Sequence, residues 1–140
     1  MLSVMRPSNR ATAFVFCFAL SLMTGCGGGD TNAPSLGQVS GMVTLDDAPL
    51  ADVMVMFESD TAAAAKGKTD SEGKYELTYV NNESGAPLGN HVVRNISIQP
   101  GDAPDPSFVD PIPKKYNENS ELTATVKAGN NQFDFALSSD

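Results

Sequence analysis

From residue 38 onward, apolar residues alternate with polar ones in short runs, and turn residues interrupt them about every ten positions. No window holds apolar residues at helical spacing. Residues 38–45 place Val39, Gly41, Val43 and Leu45 on one side, and Asp46-Asp47-Ala48-Pro49 then turns the chain. Residues 53–57 (VMVMF) are apolar on both parities, which predicts Val53, Val55 and Phe57 in the core and Met54 and Met56 outward, beneath a long loop or in an exposed patch. Residues 64–69 carry Lys66 and Lys68 at one parity, as a guarded edge strand does. After a hairpin turn at Asp70-Ser71-Glu72-Gly73, residues 74–80 direct Tyr75, Leu77 and Tyr79 inward. Residues 91–98 break their own alternation, since His91 and Val93 share one parity and Ile96 and Ile98 the other; a bulge near Arg94 and Asn95 reconciles them. Leu122, Ala124 and Val126 lead through Gly129-Asn130-Asn131 to Phe133, Phe135 and Leu137. The pattern predicts an all-β, seven-stranded Greek-key β-sandwich. Residues 99–119 hold five prolines and no periodicity, either a functional mobile loop or a surface strap held by Phe108, Ile112 and Tyr116.

The N-terminus follows a different pattern. Residues 1–10 carry Arg6 and Arg10 and no acid, residues 11–23 run apolar, and Thr24-Gly25-Cys26 end the run with small residues. This is the layout of an export signal. The apolar run falls short of the roughly 20 residues that span a bilayer as a helix, and the GGGD that follows is no basic stop-transfer flank. The segment Leu22-Met23-Thr24-Gly25-Cys26 resembles the lipobox of bacterial lipoproteins, with Met23 in place of the usual leucine. That resemblance implies cleavage between Gly25 and Cys26 and a diacylglycerol of palmitate type on the Cys26 sulfur. Two or more acyl chains hold a protein on a membrane where one chain binds marginally. The alternative is ordinary signal cleavage beside an incidental cysteine. The expected organisation is a signal peptide over 1–25, a flexible Gly-, Asn-, Pro- and Ser-rich tether over 26–37, and a β-sandwich domain over 38–140.

Composition narrows the function. The 140 residues allow one core, and after Cys26 seven Lys and Arg stand against seventeen Asp and Glu, a side-chain charge of −10 that repels nucleic acid. Cys17 lies in the apolar run and Cys26 at its end, so no disulfide supports the sandwich and burial alone must hold it.

Three stretches together resemble the carboxypeptidase regulatory-like domain, a transthyretin-like (prealbumin-like) sandwich, as carried by short lipoproteins of planctomycete-type bacteria. They are residues 39–46 (VSGMVTLD) leading into Ala48-Pro49-Leu50, residues 69–77 (TDSEGKYEL), and Ile112-Pro113-Lys114-Lys115-Tyr116 followed by the hairpin over 122–137. Gly89-Asn90-His91 departs from the Gly-x-Tyr common in such proteins. The resemblance implies a fold found beside peptidases, and it confers no peptidase activity of its own.

Candidate chemistry is sparse. His91 is the sole histidine and Arg94 the sole arginine after Cys26, which removes multi-histidine zinc and Cys-His chemistry and leaves His91 as the one candidate base. Asp46, Asp47 and Asp52 read as turn residues before paired carboxylates. Asp102, Asp105 and Asp110 lack the spacing of an EF-hand loop. The expectation is a non-catalytic envelope lipoprotein with no catalytic, cofactor or metal site, lipid-anchored to a membrane after export, offering loops or an edge strand to an envelope protein. Two alternatives stand beside it: an accessory to, or weak form of, an envelope hydrolase using His91, and a calcium-stabilised adhesion module.

Overall fold

Strand β1 (Leu36–Leu45) is shared by more partners than any other element. The computed structural model describes residues 32–140, so the proposed cleavage and lipidation residues Gly25 and Cys26 lie outside the described residues. Alternation along β1 sends Val39 and Val43 into the core and Gln38, Ser40 and Met42 to solvent. Along one edge of β1 lie three short antiparallel segments, β2 (Ala48–Pro49), β5 (Lys74–Glu76) and β6 (Ala86–Pro87). Along its other edge β9 (Asn130–Gln132) and β10 (Phe135–Leu137) run parallel to it in one register, Val39 opposite Asn131 and Thr44 opposite Ala136.

The second sheet is antiparallel throughout, in the order β4 (Ala65–Lys68), β3 (Val53–Glu58), β7 (Gly89–Ser97), β8 (Thr123–Val126). The described residues thus form an all-β structure, with two sheets enclosing Val43, Val53, Val55, Phe57, Leu77, Val93 and Val126. Phe57 is fully buried, with the rings of Phe133 and His91 both at 5.7 Å between centroids and Phe135 at 6.2 Å. Such a buried ring contributes about 1.5–3 kcal/mol relative to leaving it in water.

The sheets meet where β4 approaches the β5 side. Lys66 and Thr78 exchange backbone hydrogen bonds of 2.9 and 2.8 Å, and a Cβ on Gly67 would run into the Glu76 carbonyl. This close approach explains why β4 carries only Ala65 and Gly67 inward and reads as a weak strand.

Two expectations need correction. The bulge near Arg94 and Asn95 is not there, because β7 pairs with β3 without a break from Val92 to Ser97. Keeping that ladder costs the burial of Asn95 and leaves Ile96 and Ile98 on the outer side, half-buried. Met54 lies between Lys68 and Ile96 across the sheet, and Met56 between Lys66 and Arg94, so aliphatic stems of neighbouring strands flank them on the sheet surface. In the long connection, Ile112 is buried and Tyr116 packs on the core, but Phe108 is exposed beside Val109, which is 82 % exposed. Arg94 ties the end of that strap down, donating from Nη1 to the Asn117 and Glu118 carbonyls at 2.6 and 2.9 Å and from Nε to Glu58 at 2.7 Å.

Candidate functional site

His91 faces inward from β7 and is 2 % exposed. Its Nε2 lies 2.7 Å from the Pro87 carbonyl, which accepts only, so Nε2 carries the proton and donates it. Nδ1 has no hydrogen-bond partner among the described residues. A general base must reach a nucleophile's proton, and this ring is held by Phe57 and Pro87 instead.

Five of the six candidate carboxylates take part in local geometry, and Asp102 is exposed. Asp46 and Asp47 form the β1–β2 hairpin turn with φ of 51° and 67°, a left-handed pair that Asp tolerates. Asp46 also accepts from the Ser139 N–H at 3.0 Å, which holds its carboxyl below the usual range. Asp52 pairs with Lys68 at 2.8 Å. In the long connection Asp105 accepts from the Ser107 hydroxyl at 2.6 Å and amide at 2.8 Å, which likewise lowers its pKa. Both oxygens of Asp110 are engaged, by the Ile112 N–H at 2.8 Å and Asn117 Nδ2 at 3.3 Å. Among the described residues no three His, Cys, Asp or Glu side chains converge as metal ligands would.

The concave surface with the most specific construction is a groove of about 610 Å³ on the solvent face of β9, β1 and β5. Beside it, the strand formed by β9 and β10 is interrupted at Phe133 and Asp134. There the Phe133 carbonyl turns in over Gly41, where a Cβ would collide with it, and accepts the Tyr75 hydroxyl at 2.7 Å. The Asp134 carboxylate takes over the acceptor role at the sheet edge, receiving the Met42 N–H at 2.9 Å. Burial, and then the Asp134 charge, push the Tyr75 hydroxyl pKa well above its ordinary value, so the phenol stays a donor. Lys74 and Glu76 on one wall, Gln132 and Asp134 on the other, make a mixed-charge, hydrogen-bonding surface. Nothing in the sequence announced it: Phe133, Phe135 and Leu137 share one parity and read as an uninterrupted strand.

The sheet edges differ in how they end. The outer edge of β4 is closed by the Lys66–Thr78 exchange and carries two lysines. The β8 edge terminates its sheet with no described strand beyond it.

Comparison with known proteins yields little beyond this geometry. No family model matches the chain, and no curated protein matches it. The structure is similar to the crystal structure of a DUF3823 family protein from Parabacteroides merdae, at 12 % identity and a TM-score of 0.44. That alignment covers 74 % of this chain and 46 % of the other, so this chain spans less than half the length of that protein.

Proposed function

We propose that this protein is a non-catalytic cell-envelope lipoprotein, anchored through Cys26, whose sandwich serves as a binding or structural module for another envelope protein. The observation that carries the non-catalytic half is His91: the one histidine of the chain is buried and committed to the Pro87 carbonyl. The residues Leu22 to Cys26 and the Gly-rich stretch after them support the anchored half. We read the architecture as the transthyretin-like, carboxypeptidase regulatory-like sandwich. Taking β9 and β10 as one interrupted strand and setting aside the two-residue β2 and β6, the segments reduce to seven, as the Greek-key reading requires.

The alternatives draw less support. A hydrolase would have to free His91 from its carbonyl, and a calcium module would have to free Asp110 from Ile112 and Asn117. Fractionation of cells producing wild type and Cys26→Ser tests the proposal. It predicts wild type in the membrane fraction and the variant in the soluble fraction; wild type recovered as a soluble protein would sink the anchor. An increase in melting temperature on adding millimolar calcium would favour the adhesion alternative.

A further inference from the structure

We infer that the open edge of β8 pairs antiparallel with the same edge of a second copy of this chain. The inference rests on the reading of the domain as a protein-binding module, and names the partner of its edge strand.

Which backbone groups are free follows from the ladder. The Val93 N–H donates to the Leu122 carbonyl, and His91 and Gly89 stand opposite Ala124 and Val126, so residues 122, 124 and 126 turn their amides and carbonyls toward β7. Thr123 and Thr125 therefore turn theirs away from the sheet, and no described strand receives them. An edge of this kind is a template for another strand, and proteins commonly blunt it with charge, covering or interruption. Two other edges among the described strands are treated in those ways. Lys66 and Lys68 guard β4, which also bonds Thr78, and the outer strand of the first sheet is interrupted at Phe133 and Asp134. The four residues of β8 carry no charge and no interruption.

The sequence around β8 is a chemical palindrome. Residues 121–127 read Glu, Leu, Thr, Ala, Thr, Val, Lys. Turned about a two-fold axis at Ala124, Thr123 of one copy faces Thr125 of the other and each pair exchanges two backbone hydrogen bonds. Leu122 faces Val126 on the core side, and the Glu121 side chain comes beside Lys127, whose own N–H and carbonyl are already held by the Asn131 side chain at 2.9 and 2.8 Å, so the added ladder ends at the Thr pairs. The charge at each end thus meets its opposite in this register, whereas a parallel pairing in equal register would set like charges together. Glu121 and Lys127 are both exposed, and neither takes part in an ion pair within the described part of the chain. A two-fold contact of this type is isologous and closes at two copies, so it does not propagate into fibres.

The test is cross-linking by register in isolated membranes. Full-length Thr123→Cys and Thr125→Cys chains are produced separately and together, oxidised, and run on non-reducing gels. Wild type alongside accounts for any disulfide through Cys26. In the inferred register Cys at 123 lies directly opposite Cys at 125 of the other copy, within disulfide reach. Two Cys at the same number lie on a diagonal of about 7–8 Å, beyond it. Cross-linked dimer is expected from the mixture and absent from either variant alone. Adding Lys127→Glu to both chains is expected to abolish the band, and adding Glu121→Lys on top of it to restore it, which a folding defect would not do. A mixture without dimer, or equal dimer from each variant alone, would overturn the pairing. Neither result bears on whether Cys26 carries lipid, since that is read by mass; if fractionation finds the protein soluble, the same cross-link is sought in the soluble fraction.

Discussion

The two sheets of this molecule reach the same end by different means. The sheet of β4, β3, β7 and β8 is a plain antiparallel ladder in which the backbone supplies its own partners, so that even Asn95 is carried into the core to keep the register intact. The sheet around β1 is assembled from short pieces, and where its outer strand breaks, side chains replace backbone: Asp134 stands in as acceptor for Met42, and Tyr75 satisfies the Phe133 carbonyl. A ladder of the first kind depends mainly on buried area. One of the second kind depends on particular atoms, and tolerates substitution there poorly because a buried group left without its partner costs more than the bond itself contributes.

The largest expected effect lies in what the sheets share. Phe57→Ala removes the ring that meets both sheets and is expected to cost about 3–5 kcal/mol in urea denaturation. A loss under about 1 kcal/mol would mean the two sheets do not share one core. Next comes Gly41→Ala, whose Cβ meets the inturned Phe133 carbonyl and which is expected to cost about 1–3 kcal/mol or more. The same exchange at Gly129, where a Cβ meets nothing, should show only the smaller strain of its φ of 88°. If Gly41→Ala is as mild as Gly129→Ala, the break in the outer strand is not as described.

How much of this could be read in advance divides along the same line. Alternation placed Val39, Val43, Val53, Val55, Phe57, Tyr75, Leu77, Ala124 and Val126 inward, because period two reports burial wherever one sheet face is wet. Asn95 defeated that logic, since inward-facing position and apolar character part company there, and the rule prefers a bulge that an intact ladder forbids. The groove on β1 was illegible for a different reason. The turn of the Phe133 carbonyl leaves the parity of Phe133, Phe135 and Leu137 unchanged, and the partners that make it possible lie far away in sequence at Gly41 and Tyr75. The strap was half legible: Ile112 and Tyr116 are anchors, whereas Phe108 is not, and no local signal separates them.

Smaller effects sharpen the contrast. Tyr75→Phe deletes one hydroxyl and leaves the Phe133 carbonyl bare, for an expected loss of about 1–3 kcal/mol. Combined with Asp134→Ala it should cost less than the sum of the two single changes, because both act on one interruption. Strict additivity would show that the two side chains stabilise the strand independently. The smallest effect belongs to the surface: Lys68→Ala removes an exposed pair with Asp52 and is expected to change stability by less than about 0.5 kcal/mol. Urea titrations of the variants beside wild type read all of these.

We propose that the sandwich is held at a membrane through Cys26, and the intact mass of the membrane-extracted protein tests that anchor. The expected result is a wild-type chain that begins at Cys26 and carries the added mass of its acyl chains, with that lipid lost from Cys26→Ser. Wild type and variant found as the same cleaved, lipid-free chain would contradict it, and would make this a freely secreted domain.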